Sequence, residues 1–164
     1  MDPIQYRSSD ELKALSKLED KKNKRLADQL RKMKEPAVDQ LFHPLHGEAF
    51  QQFDCLVCAN CCKTISPIVT EKDIDRLARH FRMKPSAFID QYLHIDCDKD
   101  YVFNQAPCPF LMPDNYCMAY ESRPKACREY PHTDRRNMRQ ILKLTLKNCE
   151  VCPIVHGIIS ELKK

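Results

Sequence analysis

At 164 residues the chain has the size of one ordinary domain, too short to set a substrate domain beside a cofactor domain. Ten cysteines stand against two glycines and no tryptophan, so there is no material for a glycine-rich phosphate loop and nucleotide-loop chemistry is excluded. The formal charge of +4 is only mildly basic, and without an aromatic platform among the cations it argues against a nucleic-acid partner.

The charged stretch from Asp10 to Lys22 leaves no apolar run of secretory length near the amino terminus, and no later run approaches the roughly 20 apolar residues that span a bilayer. The expected location is the cytoplasm, with no membrane contact. Thiols stay reduced there, and dense cysteines point to metal or catalysis more than to disulfides.

Residues 1–34 are expected to carry an amino-terminal amphipathic helix. Ser8 and Glu11 stand at capping-box spacing, and Leu12, Leu15, Leu18, Leu26, Leu30 and Met33 form its apolar stripe. Pro36 is expected to end the helix, whose stripe packs on the domain or engages a protein partner. Residues 35–54 read as an irregular connection punctuated by Pro36, Pro44 and Gly47. His43 and His46 lie here three apart, but Pro44 between them spoils the regular turn that a histidine ligand pair needs.

Residues 55–164 are expected to form a cysteine-cluster metal-binding domain. Thr70 caps a helix with Asp73 at its third position and Ile74, Leu77, Ala78 and Phe81 on one face. Pro85 opens the next helix, which buries Phe88, Ile89, Tyr92 and Leu93, and a short extended piece covers Tyr101 to Phe103. The proline- and cysteine-rich stretch from Pro107 to Pro131 has too little regular structure to hold itself together. Ile141, Leu142, Leu144 and Leu146 fit strand or helix, and Pro153 starts a last helix through Ile154, Val155, Ile158, Ile159 and Leu162. The fold class is mainly α with short extended pieces, a small cysteine-rich single domain organised by its metal.

Cys55, Cys58 and Cys61 stand at Cys-x-x-Cys-x-x-Cys spacing, and Cys62 follows at once. A two-residue gap lets one tight turn aim two sulfurs at a cation while backbone amides donate to them, which is why the spacing recurs in zinc and iron-sulfur sites. Adjacent Cys61 and Cys62 project in different directions, so two nearby metals or one multinuclear cluster are favoured over a single ion. Downstream candidates are Cys108, Cys117, Cys127, Cys149 and Cys152, whereas Cys97 lies outside any ligand motif and reads as an inert buried thiol.

The ordered set Cys55-x-x-Cys58-x-x-Cys61-Cys62, Cys108-Pro109-Phe110-Leu111, Cys117-Met118-Ala119-Tyr120-Glu121-Ser122-Arg123-Pro124 and Cys127-Arg128-Glu129-Tyr130-Pro131 resembles the YkgJ-type cysteine cluster family, described as chelating zinc or iron. The resemblance runs from Phe53 to Pro153 and implies metal ligation by Cys55, Cys58, Cys61, Cys62, Cys108, Cys117, Cys127 and Cys152. Cys149 is an addition to the family pattern and a further candidate. Arg123 and Arg128, beside these ligands, are expected to offset thiolate charge by hydrogen bonds, and Tyr120 and Tyr130 to cover the site from the core.

The function expected is a cytosolic metal-binding protein holding zinc or iron through clustered thiolates. The rival reading is a [4Fe-4S] redox or accessory protein for modification of another protein. Flagellin lysine methylases carry a similar cysteine domain in a much longer chain, so methyl transfer does not carry over from that likeness. A thiol-redox pair at Cys61 and Cys62 ranks lowest, since a vicinal disulfide strains its ring.

Overall fold

The computed structural model describes residues 1–164, which are mainly helical with one two-stranded antiparallel sheet. The chain divides into two compact units, residues 1–58 with 131–164 and residues 59–130. No helix is long and apolar enough to cross a membrane.

The first unit begins with α1 (Ser9–Leu18), capped by the expected Ser8–Glu11 box, and α2 (Asp20–Lys32). The single helix read from the sequence is thus two, parted at Glu19. Leu12, Leu26, Ala27 and Leu30 are buried, while Leu18 is 84% exposed, because the heptad-like stripe drifts off the packed face before the break.

Pro36 does not end this helix. It sits in the first turn of α3 (Glu35–Gln52), an 18-residue helix where an irregular connection was expected. Proline costs nothing in a first turn, since the amide it lacks has no intrahelical partner there. Pro44 lies mid-helix but faces solvent, and burial of Val38, Phe42 and Ala49 on the opposite face offsets the backbone bond it forfeits.

α9 (Leu142–Asn148) and α10 (Pro153–Leu162) complete the unit, resolving the strand-or-helix ambiguity at Ile141–Leu146 toward helix. α10 packs on α3 and α9, and α9 packs on α2. Ile154, Val155, Ile158 and Ile159 are each no more than 2% exposed, which makes α10 the central helix of this unit.

The second unit is built on α6 (Glu71–His80), with its Thr70–Asp73 capping box, and α7 (Pro85–Tyr92). Leu93 opens β1 (Leu93–Ile95) instead of closing α7, and β1 pairs with β2 (Tyr101–Phe103) in the register Leu93 to Phe103. Val69, Ile74, Leu77, Phe88, Leu93, Phe103 and Phe110 form its core, with Phe81, Tyr92, Cys108 and Cys117 packed against it. Phe110 is the hub: its ring centroid lies 4.6 Å from Phe81, 5.0 Å from Tyr92 and 5.5 Å from Phe103. A cysteine-bearing loop is thereby anchored in an aromatic core two residues beyond Cys108.

Cys97 corrects another expectation. It is exposed in the β1–β2 turn, where the chain must reverse within five residues and no core is near.

Candidate metal centre

The run Cys55-x-x-Cys58-x-x-Cys61-Cys62 is not one continuous helix. A turn α4 (Cys55–Cys58) and a short helix α5 (Asn60–Thr64) are separated by one residue, Ala59, which takes left-handed φ 50 and ψ 18.

 A non-glycine residue costs about 1 kcal/mol in that conformation, and the kink falls between the two halves of the motif. Cys55 and Cys58 accordingly belong to the first unit, Cys61 and Cys62 to the second.

In the second unit, hydrogen bonds tie together the separate stretches of backbone that carry Cys62, Cys108, Cys117 and Cys127. The Cys108 N–H donates to the Cys62 carbonyl at 2.8 Å. A tight hairpin, with a bridge between Leu111 and Cys117 and a 2.9 Å bond from the Met118 N–H to the Phe110 carbonyl, returns Cys117 toward Cys108. Cys127 lies on α8 (Lys125–Glu129), whose entry is held by a part-buried ion pair: Arg76 bonds Asp73 and donates to the carbonyls of Ser122 (3.3 Å) and Arg123 (2.7 Å). The Lys125 N–H adds a 3.1 Å bond to Asp73. Asp73 is thus both the cap of α6 and the clamp on the Cys127 segment. The sequence showed only the cap, because the residues it clamps lie some fifty positions away and carry no pairing motif.

Electrostatics tie these thiols together. Burial first, and then negative charge on Cys62 and Cys117, push Cys108 up to about 11 and Cys127 up to about 12. Cys117 is also raised, chiefly by burial. Cys62 goes the other way, to about 7, because the Cys61 thiol hydrogen-bonds to it across 4.0 Å, with Arg123 and Lys63 adding positive charge. Backbone N–H groups of Phe110 and Leu111 point at the Cys108 sulfur, and that of Ala119 at Cys117. A donor set of thiols backed by amides, whose joint ionisation needs a neighbouring cation, suits a soft divalent ion such as zinc or iron. The side chains themselves are not closed into a cage: nowhere are three or more His, Cys, Asp or Glu side chains gathered to hold an ion.

The flanking cations divide in role. Arg123 lies over the Tyr120 ring at 3.6 Å and lends positive charge to Cys62, Cys117 and Cys127. Arg128 instead donates to the Arg123 carbonyl at 2.9 Å, so it braces backbone. Tyr120 is 39% exposed and stacks on Tyr116, because the 3-10 turn Tyr120–Ser122 points it outward; it does not cover the thiols from the core.

In the first unit, Cys58, Cys149 and Cys152 are buried and Cys55 is exposed. His43 Nε2 bonds the Arg135 carbonyl at 3.1 Å and His46 Nδ1 bonds the Thr133 hydroxyl at 2.8 Å, so both rings serve α3. None of the ten cysteines forms a disulfide. Cys97→Ser is expected to leave bound metal unchanged and stability within about 0.5 kcal/mol of the parent, as for other exposed substitutions; metal analysis and a melting curve check both.

Residues 54–153 match the model of the family described as "CxxCxxCC: Putative zinc- or iron-chelating domain". The match covers more than half of the chain, and the chain belongs to that family. No curated protein and no solved structure matches it.

Proposed function

We propose that this member of the CxxCxxCC family holds a zinc or iron ion through the thiolates of Cys62, Cys108, Cys117 and Cys127, and that the ion orders the loops between Cys108 and Tyr130. The observation that carries this reading is that backbone and Arg76 bonds tie together the segments bearing Cys62, Cys108, Cys117 and Cys127, and that the last three are buried enough to resist ionising alone. A tetrathiolate around a divalent ion bears a formal charge of minus two, and Arg123 is placed to offset it. Cys61 stands beside the set, its sulfur 4.0 Å from that of Cys62.

Elemental analysis and an absorption spectrum of anaerobically purified protein test the reading. Stoichiometric zinc with a colourless solution supports a structural zinc site, and stoichiometric iron supports the iron counterpart. A brown solution with sulfide-to-iron charge transfer and inorganic sulfide would assign a [4Fe-4S] cluster instead. Protein free of both metals, under conditions that keep its thiols reduced, would reject chelation.

A further inference from the structure

We propose that the groove between α2 and the end of α10, in the first unit, is a docking site for an acidic segment of a partner protein, with Lys22 and Arg25 as the cations that meet it. The proposal stands apart from metal chelation and uses none of the cysteines.

α2 carries six cations and two acids. Both acids are already matched, Asp20 with Lys24 at 2.8 Å and Asp28 with Arg31 at 2.7 Å. Four cations are left over: Lys21, Lys22, Arg25 and Lys32 are all exposed and none has a carboxylate within ion-pair distance. At 3.6 residues per turn these four fall within an arc of about 100° around the helix, and Asp20, Lys24, Asp28 and Arg31 all lie outside it. The stripe runs nearly the whole length of α2, about 16 Å at 1.5 Å per residue.

Lys22, Arg25 and Gln29 of that arc line one side of a groove of about 490 Å³, and Ser160, Leu162 and Lys163 line the other. The one carboxylate in the lining, Glu19, is bonded by Lys163, whose side chain is only 14% exposed and also donates to the Asn23 side-chain carbonyl at 3.0 Å. Lys164 is matched by Asp2 and Glu161. Lys22 and Arg25 therefore border the groove with no protein anion to answer them.

A ligand that answers them is anionic, and because the unmatched stripe continues to Lys21 and Lys32 it is extended, not compact. An extended chain advances about 3.3 Å per residue, so about five residues cover the stripe. Peptide suits the groove better than nucleic acid does. Leu26 and Leu162 add apolar lining that a phosphate backbone cannot use, and no aromatic ring is present for a base to stack on. Gln29 and Ser160 offer side-chain hydrogen bonds to a peptide main chain. A solvated face is the ordinary fate of charges on a helix. That reading leaves unexplained why both acids of α2 lie off the arc and why a groove with two leucines opens beside it.

Fluorescence anisotropy of an end-capped, fluorescein-labelled octaglutamate tests the site on the full chain. The peptide is expected to bind at low salt and to weaken as salt rises, since exposed charges are screened. Lys22→Glu combined with Arg25→Glu should weaken binding about tenfold or more, because each reversal sets like charge against the peptide. Lys24→Glu combined with Arg31→Glu changes the net charge equally on the other side of α2 and should stay within about twofold of the parent. If circular dichroism shows the first variant misfolded, Lys22→Gln with Arg25→Gln reads the same loss in a helix of preserved propensity. Equal weakening by the two charge reversals would overturn the proposal, since it would reveal attraction to net charge alone. Absence of binding at about 1 mM peptide would overturn it as well. Tighter binding of a labelled octathymidylate than of octaglutamate would overturn it in favour of a nucleic-acid surface.

Discussion

Stripping the metal with a competing chelator is expected to lower the melting temperature on the order of 10–20 °C or more, since each kcal/mol lost shifts a domain of this size by about 2–4 °C. The stretch from Cys108 to Tyr130 has one short helix, one 3-10 turn and a small hairpin, and among its side chains only Phe110, Ala119 and Pro124 are buried. Such a segment cannot recover its ordering entropy, about 1–2 kcal/mol per residue, from apolar contact alone. A bound ion supplies the difference, because the free energy of metal binding is also free energy of folding. Near-ultraviolet dichroism of Tyr116 and Tyr120 should fade as the metal leaves. Unchanged melting after verified metal loss would show that the loops hold without it.

Asp73→Ala is expected to cost about 2–4 kcal/mol, the loss of a helix cap together with charge-assisted bonds to a part-buried partner. The side chain is 2% exposed and carries the α6 capping box, the Arg76 pair and the Lys125 amide together. Burial opposes its charge, but bonds from Thr70, Arg76 and Lys125 outweigh that and hold the carboxyl below its ordinary value. A depressed carboxyl stabilises the fold above its unfolded pKa, near 4, and the contribution is lost as pH falls through the lower folded value. The parent should therefore lose this stability only in strong acid, and Asp73→Ala should lack that part of the acid transition. Metal affinity should fall too, since the Arg76 clamp on Ser122 and Arg123 loses its anchor. Chemical denaturation across pH, with metal titration of the variant, measures both; a loss under 1 kcal/mol would mean Asp73 is no clamp.

Much of the second unit was legible because its signals are local. The Thr70–Asp73 box, Pro85 and the extended Tyr101–Phe103 each declare an element within a few residues, and all three stand where expected. The misreading of residues 35–54 has one cause. Proline was read as a stop at Pro36 and Pro44, whereas position within a helix decides its effect, and tertiary burial of Phe42 and Ala49 carried α3 past Pro44. Spacing and family likeness made the thiols candidate ligands. Their grouping was not legible, because it depends on the Ala59 kink and on which unit each stretch joins.

X-ray absorption at the metal edge of the protein as purified tests thiolate chelation most directly. The account predicts a first shell of four sulfurs at about 2.3 Å. A shell dominated by nitrogen or oxygen at about 2.0–2.1 Å would contradict it.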